Sequence, residues 1–234
     1  AAGGASLDIT EVFSTYLYDG TSGSLSVNNG IDLDGEGGMV WHKGRDIAEY
    51  HNLFDTERGD GYILRTNVTN ASDGPFFGQA FTSTGFSLNT ADNQINSTAN
   101  TYASWTFRKA PKFFDCVTWT GDGSTTKTVS HNLNSTPAMI IFKRTDSTGN
   151  WITWHKDTPL GSYTQSFLRL NGDFPSTSLG DYGNSLVPTS TFIRTPVHSN
   201  AGNTADSVNV SGGTYVAYLF AHNDSGDGEF GPDG

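Results

Sequence analysis

Apolar and polar positions alternate with a period of two along most of the chain, and Gly, Asn and Asp interrupt the alternation about every ten residues. The clearest such stretch is Gly213-Thr214-Tyr215-Val216-Ala217-Tyr218-Leu219-Phe220-Ala221. An earlier version of it is Asn100-Thr101-Tyr102-Ala103-Ser104-Trp105-Thr106-Phe107-Arg108, with Thr-Tyr at the same place. Val216, Tyr218 and Phe220 match Ala103, Trp105 and Phe107, so that face is apolar in both and is expected to face the core. The other face is Tyr215, Ala217 and Leu219 in one copy but Tyr102, Ser104 and Thr106, mostly polar, in the other. One fixed face and one variable face predict a half-buried strand that closes a unit present twice.

The remaining segments pair up in the same order. Ile9–Tyr18 predicts a strand ending at Asp19-Gly20; its counterpart is Phe113–Thr120, ending at Gly121-Asp122-Gly123. Leu25-Ser26-Val27 matches Thr128-Val129-Ser130. Met139–Arg144 is a β-branched and aromatic run suited to a central strand, and Met39–Lys43 is its copy, with Met and Lys at the same places. Ser147–Asn150 predicts a hairpin turn into Trp151–His155, which matches His51–Asp55. Phe167–Asn171 then matches Ile63–Asn67, and Thr189–Phe192 resembles Thr82–Phe86. Asp46–Tyr50 has room for one helical turn. Matched segments in one order indicate an internal duplication. The pattern therefore predicts an all-β fold of two tandem antiparallel β-sandwich domains, jelly-roll-like, over residues 1–112 and 113–223, then an acidic Gly-rich exit segment over 224–234. Pro111, in the join Arg108–Lys112, cannot donate to a ladder and marks a strand end. The second copy has the longer loops, above all Asp173–Pro188.

Composition agrees with short strands and tight turns. Hydrophobic residues are 35% and charged residues only 16%, while Gly numbers 28 and Phe 15. A net charge of −11 repels phosphate backbones, so nucleic-acid binding is disfavoured. No apolar run approaches the roughly eighteen residues of a membrane span. Cys116 is the single cysteine, which excludes an intrachain disulfide and a CxxC metal site. Its setting predicts a buried structural thiol, and folding without oxidation fits assembly in a cytoplasm. The start lacks Met and the end is rich in turn residues, so the chain is expected to continue both ways, with a third unit or a subunit contact after Gly234.

Candidate chemistry is sparse. The histidines are His42, His51, His131, His155, His198 and His222, and none lies in HExxH spacing. His42 and His155 read as structural or surface residues. No G-x-S-x-G elbow is present. Gly35-Glu36-Gly37-Gly38 precedes a strand rather than a helix, so it is not a dinucleotide loop. Asp32, Asp34 and Glu36 are the one carboxylate cluster a glycosidase-like pair would draw on. The matching loop Asn134–Pro137 has no acids, and a solvated acidic turn is the favoured reading, so no enzyme is expected. Asn223–Glu229 offers Asp224, Asp227 and Glu229 as calcium ligands in a degenerate EF-type spacing; otherwise it is an acidic linker. Trp151 and Trp154, three apart on a strand, face opposite sides. One belongs to the core and the other is a candidate platform for a sugar ring.

As a set, these motifs resemble a known family. They are Phe114–Gly123, Ser130–Leu133, Pro137–Asp146, Trp151–His155 and Thr214–His222, with Asp34–Lys43, Leu53–Gly59 and Thr101–Lys112 as the companion form in the first unit. The chain resembles, over about residues 9–231, a repeated β-domain of virion-associated proteins of tailed bacteriophages, especially marine ones infecting cyanobacteria. That resemblance carries no catalytic residue. It implies a virion structural protein, part of a tail fibre or other appendage, assembled in the host cytoplasm. It further implies other virion subunits as partners, a homo-oligomer with a trimer favoured, and a structural or host-attachment role. The alternative is a lectin-like module for host cell-surface glycan, with a polysaccharide depolymerase ranked behind it.

Overall fold

The computed structural model describes residues 7–124, 127–158, 166–173, 177–178, 188–195 and 206–222. The fold is all-β, and every paired strand is antiparallel. Two compact units divide at Ala110 and Pro111, inside the basic join. Asn67–Ala71 groups with the second unit rather than the first.

The first unit opens with a single helical turn, α1 (Ile9–Val12), where the alternation predicted strand. The reason is a capping box: Asp8 accepts from the Thr10 amide at 2.8 Å, and Glu11 accepts from the Asp8 amide at 2.9 Å. Strands β1 (Phe13–Asp19), β2 (Ser24–Asn28), β3 (Gly38–Gly44), β4 (Asn52–Asp55), β5 (Leu64–Arg65), β6 (Gln79–Thr82), β7 (Gly85–Asn89) and β8 (Thr101–Arg108) follow. Arg45–Ile47 is a bend, and Asp46–Tyr50 forms no helical turn. The sheets are β1-β8-β3-β4-β5 and β2-β7-β6. First pairs with last and second with penultimate, the jelly-roll-like part of the design. The run β3-β4-β5 is instead a meander, so the split is five strands and three.

In the second unit the strands are β9 (Phe114–Thr120), β10 (Thr128–Ser130), β11 (Pro137–Arg144), β12 (Ile152–His155), β13 (Ser166–Arg169), β14 (Thr177–Ser178), β15 (Phe192–Arg194) and β16 (Thr214–Ala221). Its large sheet runs β9-β16-β11-β12-β13-β14, and β10 pairs with β15. From β9 to β13 this is the order of the first unit's large sheet, and β10-β15 matches β2-β7; β14 is an added edge strand, and β6 has no counterpart among the described residues. β11 is interior, as its β-branched run predicted.

The interiors also correspond residue by residue. Tyr18 stacks on Tyr102 at 5.2 Å and 17°; Trp119 stacks on Tyr215 at 5.3 Å and 16°. Tyr18 meets His42 edge-on at 6.2 Å, and Trp119 meets Phe142 edge-on at 6.2 Å. The Tyr102 hydroxyl accepts from the Ser97 amide at 2.9 Å, and the Tyr215 hydroxyl from the Val210 amide at 2.9 Å. Asp46 and Asp146 accept from the amides of Thr101 and Thr214, fixing the start of each closing strand. A side chain at Gly20 would collide with the Ser97 carbonyl, and one at Gly121 with the Val210 carbonyl, so both positions require glycine.

These interiors reverse the expected facing of the closing strands. The cores enclosed by each unit take Tyr102 in one and Tyr215, Ala217 and Leu219 in the other. Ser104 and Thr106, read as the solvent side, are buried with Tyr102. Their hydroxyls are satisfied there: Ser104 donates to the Tyr16 carbonyl, and Thr106 accepts from Asn29 at 2.8 Å. A small hydroxyl with a partner costs little to bury, so polarity misassigned the face. Trp105 and Phe107 lie on the outer side and stay half-buried.

Candidate functional site

The outer side of the first unit's large sheet carries the candidate site. In the β3–β8 ladder Met39 faces Phe107, Trp41 faces Trp105 and Lys43 faces Ala103. Because side chains alternate along a strand, these residues share one face. The β3–β4 ladder pairs His42 with Asn52, so His51 comes next, opposite Lys43. Trp41, Lys43, His51, Trp105 and Phe107 line a cleft of about 400 Å³.

The surface of the cleft is almost wholly apolar, and the Lys43 ammonium is tied to the following loop. The Lys43 ammonium donates to the carbonyls of Ile47 at 3.3 Å and Glu49 at 3.2 Å. Among the described residues no carboxylate forms an ion pair with it. Desolvation, then the Lys43 charge, lowers the His51 pKa, so its imidazole is neutral at pH 7.

In the second unit the same register positions are closed. Ile141 faces Tyr218, Lys143 faces Val216, and Trp151 stands opposite Lys143 where His51 stands opposite Lys43. Trp151 lies flat on Tyr218, with ring centroids 6.3 Å apart at 21°. The Lys143 ammonium is 5.9 Å from the Trp151 ring centre and donates to the carbonyls of Thr69 at 3.2 Å and Gly149 at 3.0 Å. Lys143 is fully buried.

Trp151 and Trp154 do point to opposite sides of β12 and its approach. Neither presents a free ring, at 0% and 5% exposure. Trp154 belongs to the enclosed core and Trp151 fills the outer face. The half-open tryptophans are Trp41 and Trp105, which the alternation did not single out. Their signal lay in the paired copies: Trp41 stands where the second copy has Ile141, and His51 where it has Trp151.

Other candidates resolve as structural features. Asp32 accepts from the Gly35 amide at 2.8 Å and shapes its own turn. Cys116 is buried, as expected. His42 is fully buried, and burial pulls its pKa down to about 3. The Tyr18 hydroxyl donates to the Ile95 carbonyl at 2.8 Å and lies 3.0 Å from His42 Nδ1. The single hydroxyl proton being used, Nδ1–H must donate to Tyr18, which leaves the Nε2 lone pair without a partner. His131 is likewise structural, with Nδ1 accepting from the Leu133 amide at 3.2 Å. Asp224, Asp227 and Glu229 lie outside the described residues, as does most of Asp173–Pro188. Among the described residues no three His, Cys, Asp or Glu side chains gather as a metal site, and no helix is long and apolar enough to cross a membrane.

Neither a curated protein nor a solved structure matches this chain. One family's sequence model does match, across residues 8–231, and so spans both units. The chain therefore belongs to the DUF7483 family, a domain of unknown function.

Proposed function

We propose that the chain is a structural protein of a phage virion, part of a tail fibre or other appendage, with a structural or host-attachment role. The observation that carries this reading is the scaffold repeated in both units, with five strands of the large sheet in the same order and the same aromatic stack at each closing strand. Tandem β units of this kind suit rigid presentation, with loops and outer faces left for contacts. The motif resemblance supplies the virion context, and a single family match over both units supports the pair as the working piece. On this reading the partners are other virion subunits and further copies of the chain, and the role is contact rather than catalysis.

The direct test is protein mass spectrometry on density-purified phage particles, with an antibody against the chain applied in an adsorption assay. Peptides from both units in intact particles are the expected result. Absence from particles that retain their tails would overturn it. A lectin-like role is the second reading, favoured by the cleft between Trp41 and Trp105.

A further inference from the structure

The two units also differ at one sheet edge. β1 is an edge strand of the first unit's large sheet and pairs only with β8; β9 holds the same place in the second unit and pairs only with β16. Just past these strands Gly20 donates to the Asn100 carbonyl, and Gly121 to the Gly213 carbonyl. Backbone groups alternate in direction along a strand, so Ser14, Tyr16 and Tyr18 bond to β8 while Thr15 and Leu17 turn their amides and carbonyls to the open side. In the second unit the outward Cys116 amide is capped. The buried Asp115 carboxylate accepts from it at 2.9 Å, and from the Asn132 amide at 2.7 Å. A carboxylate drawn inward on an edge strand guards it against pairing with another chain. Counted back from the matched glycines, Ser14 stands where Asp115 stands. Among the described residues, the outward groups of Thr15 and Leu17 have no hydrogen-bond partner.

β1 lacks the other usual guards too. From Phe13 to Tyr18 it carries no charge, no proline and no bulge. Tyr16 and Leu17 are exposed on opposite sides of the strand, Leu17 at 57%. The occupant that fits this edge is a second copy of the chain, because β1 is complementary to itself. Turned about a two-fold axis at Tyr16, one β1 lies antiparallel to the other, and Thr15 of each exchanges both backbone hydrogen bonds with Leu17 of the other. Tyr16 then meets Tyr16 of the other copy as a non-hydrogen-bonded pair, the closer kind, which sets two aromatic rings together. Asp19 falls opposite Phe13, so no like charges lie directly across from each other. That counts in a chain of net charge −11, whose copies repel elsewhere.

We propose that β1 pairs with β1 of a second copy, in antiparallel register centred on Tyr16, so that the large sheets of two first units run on as one. This deepens the proposed function, which already includes contacts between copies, by naming the surface. Association is measurable on the purified chain whatever its place in a particle.

The test is sedimentation of the whole chain from micromolar to millimolar concentration. One strand pair buries less than the roughly 1,200 Å² of a standard interface, so the expected result is a weak dimer that grows with concentration. Added salt should strengthen it by screening the repulsion between acidic copies. Tyr16→Lys sets two ammonium groups across the axis, and Leu17→Pro removes an outward amide that β8 does not use; each should weaken dimerisation at least tenfold. Tyr16→Cys should form a disulfide-linked dimer on mild oxidation at least tenfold faster than Leu17→Cys, because only position 16 faces itself. Cys116 is buried and serves neither. Should Leu17→Pro fail to fold, Tyr16→Lys and the two cysteine variants still decide, since they alter exposed side chains alone. A monomer throughout the range, its edge left for a foreign strand, overturns the proposal. So does a trimer, the form the motif resemblance implies. A dimer indifferent to Tyr16→Lys, or equal cross-linking at positions 16 and 17, overturns it as well. If the dimer holds and the chain is absent from particles, only the virion reading fails; a monomer that is present in particles removes only this inference.

Discussion

The two units carry the same interior and opposite exteriors. Inside, an aromatic ring from the first strand stacks on the closing-strand tyrosine in both, and the residue on the central strand meets it edge-on. Outside, Trp151 seals the second unit over a buried lysine, while His51 leaves the first unit with a cleft beside a lysine of the same register. The two faces differ at three matched positions, His51 for Trp151, Trp41 for Ile141 and Trp105 for Tyr218, and in the second unit the Thr69 carbonyl also meets the lysine. An interior repeated with so little change marks the scaffold, and the exterior is where the two units diverge in what they can touch.

The largest way to break this comparison is to empty the second unit. Trp151→Ala removes a ring that packs on Tyr218 and shields Lys143, and should cost about 3–5 kcal/mol in denaturant unfolding. A loss below about 1 kcal/mol would mean that the ring is not the seal.

A pH effect ranks next and tests the one matched position at which the interiors differ in charge. His42 is held neutral with a folded pKa of about 3, while an unfolded histidine titrates near 6.5. The unfolded state therefore binds the proton first. The stability that the buried neutral ring contributes is complete above about pH 6.5 and declines as pH falls towards 3, at up to about 1.4 kcal/mol per pH unit. Phe142 holds the same place in the second unit and does not titrate. His42→Phe should reduce the slope, leaving the smaller contributions of His51 and His131, whose pKa values burial also lowers, and should remove the partnerless Nε2. The measurement is urea unfolding from pH 7 to 4 in both proteins, and an unchanged slope would contradict the assignment.

Smaller effects test whether the scaffolds are equivalent. Tyr102→Phe and Tyr215→Phe each strip an acceptor from a backbone amide, Ser97 in one unit and Val210 in the other. Each should cost about 1–3 kcal/mol by thermal or chemical unfolding. Tyr102→Phe should cost more, because the Tyr102 hydroxyl also donates to the Asn93 carbonyl at 2.8 Å. The smallest expected change is that of His51→Trp on stability, within about 1 kcal/mol of wild type, since it fills existing space.

The alternation of the chain carried most of the fold. Strand class and the central place of Met139–Arg144 both follow from apolar runs and turn residues. Two features were not legible that way. Asp8 and Glu11 start a helical turn by reciprocal capping, a local hydrogen-bond pattern that outweighs the apolar spacing of Ile9–Tyr18. Ser104 and Thr106 face inward because Tyr16 and Asn29 meet their hydroxyls, which no hydropathy pattern contains. That reversal also hid the site. Placing Trp105 in the core leaves Trp151 and Trp154 as the candidate platforms, and their rings are packed away. Strand register, which alternation alone does not contain, puts Trp41, Trp105 and His51 on one face.

Residue-resolved oxidation of the tryptophans tests the contrast between the two outer faces most directly. The chain has five, and hydroxyl-radical footprinting read by mass spectrometry distinguishes them all. Trp41 and Trp105 should react readily in the folded protein, with Trp119, Trp151 and Trp154 protected until unfolding. Oxidation of Trp151 as fast as Trp105, or protection of Trp41 and Trp105, would contradict the account of one open face and one sealed face.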